Sequence, residues 1–402
     1  MNTLQQKDTI AHCVFSLGCG GAERILTTTI KHLYKEGFHD QHVVLANFSH
    51  PADLYYHQEV SKIARVHFAE PSDSLPSTTP AIIKYLPNRI KKNILAIYSS
   101  LKKINADTVH IWSDNVYAAL AAQLLPVRRI LVVWHNIPPI TWHKIGVLSP
   151  STLPKTWLHY ILFRLVINDP RVRLACVTRT GADQYARWFG IPAKRINTLH
   201  HGMDTTYWKK LSPDVVAEER RRLGIAEQTR LVVGLMRFSD QKRPKLWIDA
   251  AARVREKLGA SIEFICYGDG PLRVELLPYA AACGVRCPGV TNNVPLVLSM
   301  ANVFFHSARF EGLPTVHVEA QLMECPIVST VGEGGTREAV DEGITARLVP
   351  EQPDMVSALS DALIAALQDT DFLTRASQEG PRFVKENFSI EQMIQTTLEL
   401  YR

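Results

Sequence analysis

Two glutamates, Glu311 and Glu319, lie eight residues apart around a Gly-Leu-Pro-Thr segment. Pro314 suits the first turn of a helix, where its missing N–H is not needed, and the free N–H groups of a helix start can hold a negatively charged leaving group. A carboxylate in the loop before the helix, where we expect Glu311, can accept hydrogen bonds from sugar hydroxyls, and one further along the helix can accept both hydroxyls of a ribose. For Glu319 the alternative is a solvated helix face, which its apolar neighbours disfavour.

A second group of candidate residues lies on a cationic loop. Arg237 and Lys242 follow the apolar run 231–234 and precede a stretch with a helical pattern. Two cations on one strand-to-helix loop can neutralise a diphosphate, with the arginine as a two-pronged donor and the lysine as a point charge. An exposed basic loop without a ligand is the alternative, and the loop by itself does not decide between them.

Glycine-rich loops follow two other strand candidates. Gly20 and Gly21 follow the first, and Gly268 and Gly270 flank an aspartate after another. Glycines let backbone amides approach a ligand closely, although turn chemistry alone accounts for both loops. A dinucleotide-binding loop would also need an acidic residue at the end of the second strand, and that strand ends in Leu-Ala-Asn-Phe.

A single histidine, His135, follows the strand candidate 130–134. It can donate a hydrogen bond to a substrate hydroxyl, with a structural role as the alternative. No pair among the seven cysteines has the C-x2-C spacing, and no cluster of histidines or cysteines backs Cys283 and Cys287. We therefore expect no metal site, and free thiols suit a reducing cytoplasm.

These loops need a scaffold of strands that alternate with helices. Short apolar runs are typical of strands buried on both faces, and they occur at 10–16, 42–46, 108–112, 130–134, 174–178, 231–234, 262–267, 303–306 and 326–330. Helical patterns cover 22–36, 245–258, 270–283, 315–324, 354–367 and 389–402. This alternation predicts an α/β fold with doubly wound parallel sheets.

The alternating series runs twice, over about 10–190 and 230–350. A chain of 402 residues also exceeds the roughly 250–300 residues that one core supports. We predict a first domain at 1–205, a second domain at 206–385, and a last helix at 386–402 that packs back on the first domain. Ligands of open α/β sheets bind at the carboxyl ends of the strands, where all the candidate loops lie.

Composition excludes several classes of protein. With 46% apolar and 21% charged residues, the chain is neither disordered, collagen-like nor a disulfide knot. No run is long enough to span a bilayer, and residues 1–10 do not resemble a secretory signal. Residues 1–200 carry 23 basic and 12 acidic residues, net +11, whereas the remainder has a net charge of −5. The basic half indicates an anionic partner, with scattered charge as the alternative.

Five motifs in order along the chain resemble those of glycosyltransferase family 4: Gly20-Gly21, Arg237 with Lys242, Gly268-Asp269-Gly270, Glu311-x7-Glu319, and Gly334-Gly335 with Glu338. The similarity spans nearly the whole chain and is strongest over 230–350. Members of that family are retaining enzymes that use nucleotide sugars and have the GT-B fold of two facing Rossmann-like domains. The resemblance implies that 1–205 is the acceptor-side domain and that 206–385 is the nucleotide-sugar-binding domain. It also implies transfer of a hexosyl or N-acetylhexosaminyl group in cell-surface polysaccharide biosynthesis.

The resemblance also implies roles for individual residues. Arg237 and Lys242 would hold the donor diphosphate and stabilise it as it leaves, without a metal or other cofactor. Glu311 would contact the donor sugar, Glu319 the nucleotide ribose, and His135 the transferred sugar. The remaining positions would complete the donor site: Gly20, Gly21, Gly268, Gly312, Leu313 and Thr315. Gly20 and Gly21 would also admit the acceptor.

Three positions depart from the family pattern and put the fine donor preference in doubt. Cys325 stands where the family often has glycine, and His201 and Glu342 each precede a glycine where the family often has asparagine. A nucleotide-sugar epimerase on the same fold is the alternative function. Nucleic-acid binding is not expected, because aromatic-basic RNA motifs and zinc knuckles are absent from the sequence.

The acceptor is expected to be a glycan or a lipid-linked glycan. Segment 82–103 combines six lysines and arginines with apolar residues and contains no acid. It resembles a basic amphipathic helix that lies on an anionic membrane, and 157–164 adds aromatic residues and a cation. We predict a cytoplasmic protein, with attachment to the inner face of the cell membrane as a hypothesis. An ordinary packed helix with a solvated face is the alternative.

Overall fold

The computed structural model describes residues 5–18, 20–46, 54–71, 74–77, 79–146, 149–205 and 207–402, without the side chains of Ile82 and Ala260. The chain forms two compact units. Unit 1 comprises Met1–Gly202 and Ile390–Arg402, and unit 2 comprises Met203–Ser389. None of the helices in the described ranges is long and apolar enough to cross a membrane.

Unit 1 contains a seven-stranded parallel sheet in the order β3-β2-β1-β4-β5-β6-β7. Its strands are β1 (Ile10–Val14), β2 (Gln41–Leu45), β3 (Arg65–Phe68), β4 (Thr108–Trp112), β5 (Arg129–Trp134), β6 (Val172–Cys176) and β7 (Ile196–Thr198). In β1, β2 and β4 every residue is buried, as continuous apolar runs predict for strands covered on both faces.

The helices of unit 1 are α1 (Gly21–Lys35), α2 (His57–Val60), α3 (Ala81–Lys84), α4 (Asn88–Ile104), α5 (Val116–Gln123), α6 (Pro139–Lys144), α7 (Leu153–Val166), α8 (Arg179–Phe189) and the C-terminal helix (Ile390–Tyr401). Side-chain caps hold the first turns of α5 and α8. Asn115 accepts a hydrogen bond from the third N–H of α5, and Thr178 does the same for α8. These caps satisfy N–H groups that have no partner within the helix.

Segment 82–103 is two helices rather than one. Pro87 stands immediately before α4, so α3 and α4 are separate. The apolar side chains of the segment join the core of unit 1: Ile83, Leu86, Ile94, Ile97, Tyr98 and Leu101. The basic side chains lie outside this core and most are exposed. The expected amphipathic pattern is therefore present, but its apolar side packs inside the protein.

Unit 2 contains a six-stranded parallel sheet in the order β10-β9-β8-β11-β13-β15 and a two-stranded sheet of β12 and β14. The strands are β8 (Arg230–Leu235), β9 (Ile262–Tyr267), β10 (Val285–Gly289), β11 (Val303–His306), β12 (Phe310–Glu311), β13 (Ile327–Thr330), β14 (Glu333–Gly334) and β15 (Ala346–Val349). The helices are α9 (Pro213–Arg222), α10 (Pro244–Leu258), α11 (Arg273–Ala282), α12 (Val294–Met300), α13 (Thr315–Leu322), α14 (Met355–Gln368) and α15 (Thr370–Asn387).

The order of strands in unit 2 decides which loops meet. β8 pairs with β11 in parallel, so both strands end at the same edge of the sheet. The loop after β8 carries Arg237 and Lys242, and the segment after β11 carries Glu311. Strand pairing thus brings together groups that are some seventy residues apart in the sequence.

Candidate functional site

The cationic loop between β8 and α10 contains a salt bridge. Lys242 Nζ donates to Glu311 Oε1, and both side chains are largely shielded from solvent. Arg237, at the start of the loop, is exposed. The loop therefore presents an exposed guanidinium, together with an ammonium for which an incoming anion would compete with Glu311.

Hydrogen bonds hold this loop against the segment that leads to Glu311. The guanidinium of Arg243 donates to the carbonyls of Ser307 (2.8 Å) and Ala308 (3.2 Å). The side-chain amide of Gln241 donates to the carbonyl of Phe310 at 3.0 Å. These bonds cross from one strand end to the other, so they fix the two segments relative to each other.

Gly268 and Gly270 lie directly against the backbone of the same loop. A Cβ atom on Gly268 would lie 1.8 Å from the carbonyl oxygen of Met236, and one on Gly270 would lie 2.6 Å from that of Phe238. Both glycines also have positive φ, at 138° and 153°. The sequence left a simple turn as the alternative for these glycines. In the structure they allow close approach of one backbone segment to the other.

Glu311 lies in the two-residue strand β12 rather than in an irregular loop, which corrects the expectation from the sequence. β12 pairs with β14, and the backbone N–H of Gly335 donates to the carbonyl of Glu311 at 3.0 Å. The carboxylate is buried and lies 3.5 Å from His306 Nε2. Its direction is therefore set by neighbouring strands and side chains.

Helix α13 begins directly after this carboxylate. Its first residue is Thr315, so Pro314 precedes the helix rather than standing in the first turn, and provides no side-chain cap. Gly312 and Leu313 are buried beside it. The first N–H groups of a helix have no partner within the helix, and a helix start favours negative charge. The structure thus places an anion-favouring helix start next to Glu311.

Glu319 lies on α13 and is only 3% exposed. A solvated helix face, the alternative considered for it, is therefore excluded. Burial of a carboxylate has a large desolvation cost unless polar groups face it. α13 packs against α15, where Gly380 comes close to the backbone of Gln321. The helix that carries Glu319 is thus fixed by tight packing.

In unit 1, Gly20 precedes α1 and Gly21 is its first residue. Cys19 lies outside the described residues. The carboxylate of Glu23 folds back over Gly20, where a Cβ atom would meet it at 2.2 Å. Burial raises the pKa of Glu23. The helix start therefore already faces a carboxylate of the chain itself, which an incoming anion would have to displace.

His135 does not stand alone. Its Nδ1 lies 3.0 Å from Nε2 of His201, and its ring stacks on Trp112 at 5.2 Å between centroids. Burial lowers the pKa of His135 to about 3 and holds that of His201 well below its usual range. Both imidazoles are therefore neutral near pH 7. Sequence reasoning named His201 only as a departure from the family pattern and missed this pair.

A larger buried group of polar and aromatic side chains continues from Trp112. Its indole N–H donates to Nδ1 of His12, whose Nε2 lies 3.2 Å from the side-chain oxygen of Gln41. His110 bonds the hydroxyl of Tyr401 at 2.8 Å. Tyr401 belongs to the C-terminal helix, so that helix is anchored inside unit 1. The sequence signal for this group was one histidine in each of β1 and β4, at positions that pair in the sheet.

The structure therefore joins some of the expected residues and separates others. In unit 2, Lys242 contacts Glu311, Gly268 supports the loop of Arg237, and Glu319 lies on the helix that starts beside them. Gly20, Gly21 and His135 belong to unit 1. Within the part of the chain that is described, no group of three or more histidine, cysteine, aspartate or glutamate side chains is arranged to hold a metal.

Sequence models of two glycosyltransferase families match successive parts of the chain. The Glycosyltransferase Family 4 model matches residues 19–207, and the model of glycosyl transferases group 1 matches residues 215–383. The second match contains every expected donor-site residue of unit 2.

Curated proteins of similar sequence act in glycan biosynthesis. The Vi polysaccharide biosynthesis protein VipC/TviE of Salmonella typhi is 25% identical over 96% of this chain and 70% of that protein. The N-acetylgalactosaminyltransferase of Campylobacter jejuni that extends a GalNAc-GalNAc-diNAcBac-PP-undecaprenol acceptor is 23% identical over 97% of both chains. These identities are low, but the similarity covers nearly the whole chain.

Solved structures show the same fold. HepE of Anabaena in complex with UDP and glucose superimposes with a TM-score of 0.76 over 98% of both chains, at 18% identity. WaaG, a glycosyltransferase involved in lipopolysaccharide biosynthesis, gives a TM-score of 0.75 over 98% of this chain and 99% of WaaG, at 17% identity. With its two parallel-sheet α/β units and both family matches, the chain belongs to the family 4 glycosyltransferases and has the GT-B fold.

Proposed function

We propose that this glycosyltransferase moves a hexosyl or N-acetylhexosaminyl group from a nucleoside-diphosphate sugar to a glycan or lipid-linked acceptor of a cell-surface polysaccharide. The observation that carries the proposal is the Lys242–Glu311 pair beside the start of α13. It offers a cation and helix N–H groups for a diphosphate, next to a carboxylate for sugar hydroxyls. The solved neighbour HepE binds UDP and glucose, and the Campylobacter relative uses a lipid-linked acceptor.

The chemistry of the proposed site follows from its charges. As the bond between the sugar and the diphosphate breaks, negative charge develops on the leaving diphosphate. Arg237, Lys242 and the helix N–H groups stabilise that charge because they are fixed before the reaction starts. The acceptor oxygen forms the new bond to the sugar, and its proton passes to the leaving phosphate on the same face. This retaining course requires no protein nucleophile.

The two carboxylates are assigned to different parts of the donor. Glu311 accepts hydrogen bonds from hydroxyls of the transferred sugar, and Glu319 accepts both hydroxyls of the ribose. Binding of the diphosphate draws Lys242 from Glu311, which frees oxygen lone pairs of the carboxylate for the sugar. Gly20, Gly21 and His135 are assigned to the acceptor-side unit. The proposed reaction uses the nucleotide sugar as substrate and no metal or other cofactor.

A donor screen tests the proposal. Purified protein is incubated with UDP-, GDP- and ADP-sugars, and hydrolysis, transfer and thermal stabilisation are measured. Glu319→Ala weakens binding of every donor, and Lys242→Ala removes turnover. Lys210→Ala and Glu324→Ala, which remove an exposed salt bridge of the same unit, are the matched controls. Normal activity of both site variants would refute the assignment.

The product distinguishes a retaining transferase from an inverting one and from an epimerase. Proton NMR of the first product gives the configuration of the new bond, and inversion would refute the retaining course. Solvent isotope that enters the sugar in the absence of an acceptor would indicate the alternative function, a nucleotide-sugar epimerase.

We also propose that the protein acts in the cytoplasm, attached to the inner face of the cell membrane. The described cysteines are all free, as in a reducing compartment. An apolar ridge on α7 supports the attachment: Trp157, Ile161 and Leu165 are exposed and spaced four residues apart, on one face of the helix. Aromatic and aliphatic side chains with nearby lysines and arginines suit an anionic membrane surface.

Vesicle flotation tests this attachment. The protein is expected to float with vesicles that contain anionic phospholipid and to stay behind with vesicles of neutral phospholipid alone. Trp157→Ser with Ile161→Ser lowers the bound fraction. Val274→Ser and Val290→Ser, which replace exposed apolar residues of unit 2, are the matched control. Equal flotation of both double variants would refute the role of the ridge.

A further inference from the structure

Two buried histidines, His306 and His317, lie next to the carboxylate of Glu311. His306 ends β11, and His317 lies in α13. Nε2 of His317 lies 3.2 Å from Nδ1 of His306, and the rings meet edge to face at 5.0 Å between centroids. The other nitrogen of His306, Nε2, lies 3.5 Å from Oε1 of Glu311. The three side chains thus form a row that ends at the proposed sugar-binding carboxylate.

Both imidazoles are neutral near pH 7. Burial lowers the pKa of His317 to about 3 and holds that of His306 well below its usual range. The neighbouring cations Lys242 and Arg243 act in the same direction, because they disfavour a further positive charge. Each ring therefore carries a single N–H, and the row has two arrangements that differ in the direction of those N–H groups.

The carboxylate selects one of the two arrangements. If His317 Nε2–H donates to His306 Nδ1, then His306 Nε2–H points at Glu311. In the reverse arrangement, a nitrogen lone pair of His306 faces the negative carboxylate, and His317 holds a buried N–H at Nδ1. Neither His317 Nδ1 nor His306 Nε2 has a hydrogen-bond partner among the described residues, so this cost is similar in both arrangements. The arrangements differ at Glu311, because an N–H at His306 Nε2 is attracted to the carboxylate 3.5 Å away and a lone pair there is repelled, so the first arrangement is favoured.

Lys242 and His306 both face the same oxygen, Oε1 of Glu311. We propose that His306, oriented by His317, is a positioning residue that keeps the Glu311 carboxylate directed at the donor sugar when the diphosphate draws Lys242 away. This inference rests on the proposed donor site. The separation of 3.5 Å is long for a hydrogen bond, and it shortens when His306 becomes the main donor to that oxygen.

The proposal predicts different effects on the nucleotide sugar and on the free nucleoside diphosphate. A displaced Glu311 weakens contacts to sugar hydroxyls, whereas the nucleoside diphosphate without a sugar makes no contact with it. We therefore expect His306→Leu and His317→Leu to lower kcat/KM for the active nucleotide sugar about tenfold or more. Binding of the free diphosphate (UDP, GDP or ADP, whichever base the active donor carries) stays within about twofold. His306→Gln, which keeps an N–H donor, recovers part of the loss.

Phe304→Leu is the matched packing control, because its ring contacts both histidines without a hydrogen bond to either. A packing defect affects nucleotide sugar and free diphosphate alike. Equal losses for the two ligands in the histidine variants, or an unchanged kcat/KM, would overturn the proposal.

A second measurement does not depend on turnover. Nitrogen NMR of ¹⁵N-histidine-labelled protein is expected to show His306 protonated at Nε2 and unprotonated at Nδ1, and His317→Leu to lose that preference. The opposite tautomer in the unmodified protein would also overturn the proposal. If no donor is turned over, the proposed function fails while the NMR result still reports on the histidine row, so the two failures are distinguishable.

Discussion

Replacing Gly268 with alanine tests how the backbone supports the cationic loop. The new Cβ atom would lie 1.8 Å from the carbonyl oxygen of Met236, at a φ of 138°. Because the obstacle is backbone rather than the end of a flexible side chain, the two segments must move apart. The loop that carries Arg237 starts at that point, so both stability and donor binding are expected to suffer.

Two costs add at this position. Holding alanine at a positive φ costs about 1–2 kcal/mol, and forcing extra volume into a packed site costs about 1–3 kcal/mol. Gly343→Ala is the matched control in the same unit, because φ is 86° there but a Cβ atom meets nothing within 4 Å. We therefore expect a loss of about 2–5 kcal/mol for Gly268→Ala and about 1–2 kcal/mol for Gly343→Ala.

Thermal unfolding and amide hydrogen exchange of the full chain measure these costs. For a unit of this size, each kcal/mol lowers Tm by about 2–4 °C, so Gly268→Ala lowers the Tm of unit 2 by about 4–20 °C. Because the chain has two units, exchange of the amides of β8 and β9 assigns the loss to unit 2. Equal stability of the two variants would refute the reasoning.

Three further predictions concern unit 1. Tyr401→Phe removes a hydroxyl bonded to buried His110 and costs about 1–2 kcal/mol in urea unfolding, whereas Tyr85→Phe, at an exposed ring of the same unit, costs under about 0.5 kcal/mol. Asn115→Ala removes the cap of α5, and the same measurement should show a loss of about 1 kcal/mol. Burial lowers the pKa of His12 to about 4. As the pH falls, His12 is therefore protonated in the unfolded chain before it is protonated in the folded one. The contribution of neutral His12 to the free energy of unfolding is complete above about pH 6.5, and between pH 6.5 and pH 4 it falls by up to about 1.4 kcal/mol per pH unit. His12→Gln should reduce that slope.

Central strands were predictable because burial on both faces requires continuous apolar runs. The prediction 108–112 matches β4, and 262–267 matches β9, without any shift of the ends. Strands at the sheet edges escaped prediction. β10 contains Pro288, which is tolerated at an edge but weakens a local strand pattern, and β3 is only partly buried. β3 and β10 form strands because they pair with the adjacent strands β2 and β9, and not because their own residues have a strong strand pattern.

Local sequence specifies the chemical types present: two cations on one loop, two glutamates around one helix start, and glycines after strands. Their spacing along the chain is enough to find them. The pairing of Lys242 with Glu311, and the position of His306 and His317 next to that pair, arise from the folding of the chain. Such contacts depend on the order of strands, since β8 and β11 are neighbours in the sheet although some seventy residues separate them in the chain.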